Sequence, residues 1–133
     1  MSGVFFFNGD GRAYNLVSRG IVLDSNICPM CSSSLETVEH VFANCVELRG
    51  IWSNINRWWN VHTPSSVSVD SLINWPDHSK LSVMQQKYFD AVICTAFWVL
   101  WNFRNFFIFD SVKPRKSNIF DDIVSRSFYW LRN

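Results

Sequence analysis

The sequence predicts a mainly α protein built as one domain, and three observations carry that reading. Apolar residues recur at i, i+3, i+4 spacing in several stretches, the longest running from Ser82 to Phe109, which is the period of a helix with a buried face. At 133 residues, 48% hydrophobic and 17% charged, the chain can bury one sizeable core but not two. Its aromatic load is high, with 12 Phe, 7 Trp and 3 Tyr, and a disordered chain does not carry so much apolar surface.

Taken in order, residues 1–12 show no period and end in the turn-forming run Asn8-Gly9-Asp10-Gly11, so they read as an irregular N-terminal segment. Residues 13–131 read as the domain. Ala13 to Arg19 predicts one or two helical turns, with Leu16 facing inward and Gly20 as the stop. Ile21, Val22 and Leu23 predict a brief extended piece. A helical pattern begins near Leu35 with Val38, Val41 and Phe42, and another follows Cys45 with Leu48, Ile51, Trp52, Ile55, Trp58 and Trp59.

Thr63 to Ser68 predicts a loop, and Ser71 to Trp75 a short helical or irregular connection stopped by Pro76. Ser82 is the expected N-cap of the long helix. Pro114 breaks the chain, and Ser117 then caps a last helix with Asp121 and Asp122 in its first turns. The expected apolar face of that helix is Ile119, Phe120, Ile123, Val124, Tyr129, Trp130 and Leu131.

Three of the four cysteines lie within eighteen residues and enclose a histidine, in the pattern Cys28-x2-Cys31-x8-His40-x4-Cys45. The two-residue gap of Cys28-Pro29-Met30-Cys31 forms a tight knuckle that aims both sulfurs at one centre about 2.3 Å away. His40 and Cys45 are about 140° apart around a regular helix. Both reach one ion only if the helix ends near Ala43 or Asn44 and Cys45 sits on the turn beyond. Three thiolates and an imidazole suit Zn²⁺, and four protein ligands leave no position for a catalytic water. The expectation is one structural zinc site in a knuckle over 28–45, with a helical remainder over 46–131. Cys94, in the long apolar helix, is expected as a buried thiol, and His62 and His78 as surface residues.

Charge narrows the partners. The formal net charge is +1, with four cations and five anions in residues 1–60 and eight cations and six anions beyond. Three thiolates and one Zn²⁺ add −1, bringing the chain to about 0. Affinity for nucleic acid scales with the phosphates that Lys and Arg neutralise, so unaided binding is expected to be weak.

The stretch from Ala91 to Trp101 falls short of the roughly 20 apolar residues of a spanning helix, so no membrane partner is expected. The run from Met1 to Phe7 lacks a basic region, which argues against secretion and for a nuclear or cytoplasmic location with reduced thiols. Phe120-Asp121-Asp122 lacks the intervening residue of a polymerase metal turn, and no endonuclease or ribonuclease H pattern or activated nucleophile stands out. No catalytic residue and no small-molecule substrate are expected.

The run Asn15-Leu16-Val17-Ser18-Arg19-Gly20-Ile21 resembles the plant reverse-transcriptase zinc-binding domain of LINE-type (non-LTR) retrotransposon polyproteins. So do the later runs Cys28-Pro29-Met30-Cys31, Glu36-Thr37-Val38-Glu39-His40-Val41-Phe42-Ala43-Asn44-Cys45, Ile51-Trp52 and Trp98-Val99-Leu100-Trp101-Asn102-Phe103-Arg104-Asn105. The resemblance covers about residues 13–131, and it implies metal ligands at Cys28, Cys31, His40 and Cys45 and an association with nucleic acid during reverse transcription. It departs from the family over Phe5 to Tyr14, where the family has a Trp-rich segment and a Leu-Pro-Thr run. That departure implies a chain that begins inside the domain.

Two functions are expected from these features. The first is a structural-zinc module, derived from such a polyprotein and without catalytic domains, that contacts RNA or DNA through Arg19, Arg49, Arg57, Lys113, Arg115 and Lys116. The alternative is a protein-interaction module or a non-functional structural remnant, presenting exposed aromatics to a protein partner. Arg104, inside an apolar stripe, must reach solvent or pair, with Asp90, Asp121 and Asp122 as candidate partners.

Overall fold

The computed structural model describes residues 22–109 and 112–132, with side chains from Ile27 onward. The irregular segment 1–12, the Ala13–Arg19 helical turn and Arg19 itself lie outside the described residues. Within them the protein is mainly helical, with the Cys/His cluster ahead of the helices.

Strand β1, Val22–Ile27, pairs antiparallel with β2, Leu35–Thr37, in a short hairpin with an irregular register between its end pairs, Val22 with Thr37 and Ile27 with Leu35. The sequence reading placed Leu35 at the start of a helix, and the structure corrects this. Leu35, Glu36 and Thr37 alternate exposed, buried and half-buried along the strand, so Glu36 points inward as the period of two requires.

The chain then forms a widened π-helical turn, His40–Asn44. Helix α1, Gly50–Trp59, buries Ile51, Trp52 and Ile55 and ends at Asn60 in the left-handed region (φ 54°), a conformation Asn tolerates better than most residues.

Helix α2, Val69–Asn74, starts at Ser68, whose hydroxyl accepts from the Ser71 amide while Ser71 Oγ accepts from the Ser68 amide. This reciprocal cap satisfies two otherwise orphaned N–H groups. The α-helix ends at Asn74 with Trp75 as its C-cap, just ahead of Pro76 as the sequence reading expected, though the chain turns once more before it leaves the element. Pro76 sits inside a single 3-10 turn, Trp75–His78, at a position where its missing N–H costs nothing. Trp75 is buried there, and its indole donates to the His62 carbonyl at 2.7 Å.

Helix α3, Val83–Phe109, has 27 residues, about 40 Å at 1.5 Å per residue. Its start is the one read from sequence: Ser82 Oγ accepts from the Gln85 amide, and Gln85 Oε1 accepts from the Ser82 amide. It ends at Phe109, where the sequence reading also ended it. By length and composition it could cross a membrane, with a mean hydropathy of 1.4 over its most apolar window, of which 50% is buried inside the molecule.

Phe42 packs edge-on against Phe97 with ring centres 5.1 Å apart, Trp52 lies 5.5 Å from Phe97, and Trp59 and Trp75 flank Phe89 at 5.0 and 4.9 Å. Such pairs add roughly 0.5–1.5 kcal/mol each beyond the area they bury. The aromatic stripe is thus core on one side, with Phe97 and Phe103 buried, and open at Phe106 and Phe109.

After Pro114, Ser117 lies within a one-turn 3-10 segment, Lys116–Asn118, rather than capping a helix. Helix α4, Ile119–Arg132, carries Asp121 and Asp122 in its first turn and buries Ile119, Ile123 and Ser127 against the rest. Its apolar face is shorter than read from sequence. Tyr129 and Trp130 are 66% and 63% exposed, and Leu131 is also exposed, because the helix runs on past the surface it packs against.

Candidate metal centre

The hairpin tip and the π-helical turn build one cluster. At the tip, the Cys28 amide donates to the Ser34 carbonyl and the Ser32 amide to the Cys28 carbonyl, both at 2.8 Å. Ser32 takes a left-handed conformation (φ 57°) to close this knuckle. His40 and Cys45 approach by a route the sequence does not spell out. The Cys45 amide donates to the His40 carbonyl at 2.7 Å, an i→i+5 bond that spans one more residue than the i→i+4 bond of an α-helix. The widened turn ends at Asn44, and Cys45 leaves it extended (φ −62°, ψ 124°). The helix therefore stops where the ligand spacing required.

The ligand atoms of Cys28, Cys31, His40 and Cys45 all lie within 4.8 Å of one another. Cys28 Sγ is 3.9 Å from Cys45 Sγ, and Cys31 Sγ is 3.3 Å from His40 Nε2. Zinc–sulfur bonds of about 2.3 Å at tetrahedral angles put ligand sulfurs about 3.8 Å apart. The four side chains are close enough to hold one metal ion, and their spacing suits zinc. Cys28 and Cys45 are fully buried, His40 retains 9% exposure, and Cys31 is only partly buried.

Burial pushes the Cys28 thiol up and the Cys45 thiol up to about 12. Burial acts the same way on Cys31, but hydrogen bonds from Ser33 and His40 outweigh it and bring that thiol down to about 6. Two buried thiols that resist ionisation unaided are what a cation at their centre would relieve.

The surrounding residues fasten this cluster to the helices. Thr37 Oγ1 accepts from the His40 amide at 3.0 Å, Glu39 Oε2 accepts from the Val69 amide at the start of α2 at 2.8 Å, and the Trp52 indole donates to the Phe42 carbonyl at 2.8 Å. Glu36, wholly buried, accepts from Arg104 Nε at 3.1 Å and from its Nη2 at 3.0 Å. Arg104 therefore pairs with neither Asp90, Asp121 nor Asp122. Its partner is a carboxylate on β2 that the sequence reading had assigned to a helix. Only a buried cation in need of a buried anion signalled this pair.

The expected nucleic-acid contacts are dispersed. Arg49 and Arg57 are exposed on or beside α1, and Arg57 donates to Asn54 Oδ1. Lys113 lies 5.1 Å from the Phe107 ring centre, Lys116 pairs with Glu47, and Arg115 borders a cavity between α3 and α4. The Lys116–Glu47 pair places the Lys113–Lys116 loop beside the turn that carries Arg49. Arg57 instead lines a separate groove with Trp58, Phe120 and Asp121. Cys94 is partly rather than fully buried, with its thiol pushed up by burial, and His62 and His78 are exposed.

Fold and site together define a mainly α protein with a Cys₃His metal-ligand cluster at its hairpin end. No family model, curated protein or solved structure matches the chain.

Proposed function

We propose that this chain is a structural-zinc, nucleic-acid-associated module of the kind carried by LINE-type retrotransposon polyproteins, and that it performs no catalysis of its own. The observation that carries the reading is the cluster of Cys28, Cys31, His40 and Cys45 within 4.8 Å. Four protein ligands fill a tetrahedral shell and leave no vacant position for chemistry. When bound, zinc supplies a fixed cross-link between the hairpin tip and the π-helical turn. The residues that resemble the retrotransposon domain include all four ligands, and they also include Glu36, Arg104 and Trp52, which fasten the cluster to α1 and α3.

Elemental analysis of purified protein tests the metal half, with one zinc per chain expected and none refuting it. A mobility shift of single-stranded RNA by the zinc-loaded protein, lost as salt rises, tests the other half. Unchanged mobility at low salt would refute it.

A second reading has an observation of its own. Phe128, Tyr129 and Trp130 are all more than half exposed on α4, a surface suited to a protein partner. Concentration-dependent association in light scattering favours that reading, and a monomer at all concentrations weakens it.

A further inference from the structure

Between the C-terminal half of α3 and the start of α4 lies a cavity of about 320 Å³, within the size range of small-ligand sites. Its wall combines two kinds of group. Trp98 and Phe106 supply aromatic surface, and Arg115 and Arg126 supply positive charge. The Arg126 guanidinium lies 4.7 Å from the Trp98 ring centre, a stack that holds the planar cation in place. Phe106 is 52% exposed. Among the described residues, neither Arg115 nor Arg126 has a carboxylate within ion-pair distance.

We infer that this cavity receives one unpaired nucleotide of a single-stranded nucleic acid, with its base against Phe106 and its phosphates at Arg115 and Arg126. The inference rests on the nucleic-acid reading above and gives it a location. A flat ring beside unpaired guanidinium groups is the pairing that base stacking and phosphate contact require. Asn102, whose Nδ2 is committed to the Trp98 carbonyl at 2.8 Å, retains Oδ1 as an acceptor for a base edge. Asp122, on the same rim, can accept from a base amino group or a ribose hydroxyl, but it repels phosphate and carboxylate alike. The exposed Phe106 ring beside the two guanidinium groups is what favours a nucleotide, whose flat base stacks there, over an acidic peptide, which has no such ring.

The test uses the zinc-loaded full chain, a short fluorescent single-stranded RNA and titrations at several salt concentrations. Phe106→Ala is expected to weaken binding about tenfold, the size of one base–aromatic stack. Arg115→Ala and Arg126→Ala should each reduce the slope of log K against log salt by about 0.7, while Lys87→Ala, exposed near the start of α3 and away from the cavity, leaves both quantities unchanged. All four substituted side chains are at least partly exposed, and helical circular dichroism confirms folding. RNA binding that survives Phe106→Ala and Arg115→Ala unaltered overturns the inference and leaves the nucleic-acid reading standing. No RNA binding by the unsubstituted protein overturns both. Displacement of the RNA by polyglutamate at equal charge would assign the cavity to an acidic peptide instead.

Discussion

The Glu36 carboxylate and the Arg104 guanidinium are both almost wholly removed from water and joined by two hydrogen bonds near 3 Å. Removing one partner strands the other charge in the core, which costs about 3–5 kcal/mol. Glu36→Gln should therefore lower urea-unfolding stability by about that much. Glu36→Leu combined with Arg104→Met should recover most of the loss, since apolar replacement of a whole buried pair is near neutral. A double variant as unstable as the sum of the singles would show that the two sites act independently.

Asp90 on α3 gives a pH dependence. Burial, followed by the nearby Asp77, pushes its carboxyl above the ordinary range. A raised folded value means the fold disfavours the carboxylate, so this group weakens the protein above its folded value. The penalty fades as pH falls through that value. Asp90→Asn should melt higher than wild type at pH 7, and the two melting curves should converge below about pH 4, near the unfolded carboxyl value. Zinc loss in acid affects both proteins and cancels in the difference. A variant less stable at pH 7 would refute this.

Among the elements, the hairpin tip and the π-helical turn carry the four Cys and His side chains, so a bound metal would clip these two together, although Val41, Phe42 and Ala43 of the turn also pack into the core. Ligands this close in sequence stabilise what they clip together. Chelation, or Cys31→Ser, is expected to strip hydrogen-exchange protection from the amides of residues 28–59 while the centre of α3, around Ile93 and Phe97, stays slower to exchange. Uniform loss across the chain would mean the protein unfolds as one unit.

These same elements divide what was legible in the sequence from what was not. The clustering of Cys28, Cys31, His40 and Cys45 was legible because metal-ligand chemistry fixes such spacing, and the start of α3 was legible because Ser82 and Gln85 bond locally. Strand β2 was not, since three residues carry too little periodicity and its ladder is completed only by β1. The π-helical turn was hidden because a five-residue gap fits an ended helix as well as a widened one. The exposure of Tyr129 and Trp130 depends on how far the neighbouring surface extends, which no pattern within α4 records.

Across the whole molecule, the buried pair connects the Cys/His cluster to the long helix. Glu36 lies one residue before Thr37, which holds the His40 amide, and Arg104 sits near the end of α3. With an ion bound, the folding free energy of the knuckle is shared between the ion and this contact. Where a ligand binds only the folded form, any loss of folding free energy weakens its apparent affinity, and the coupling is reciprocal. Arg104→Met, though it touches no ligand atom, should therefore weaken zinc binding in competition with a chromophoric chelator. If the knuckle is unfolded without metal, a loss of about 3 kcal/mol from the pair raises the apparent Kd by about a hundredfold. If part of the knuckle is already formed, the shift is smaller but has the same sign. Arg57→Ala, on an exposed face of α1, should leave the affinity unchanged. Equal zinc affinity in wild type and Arg104→Met would show that the knuckle folds on its own and that the long helix is only its neighbour.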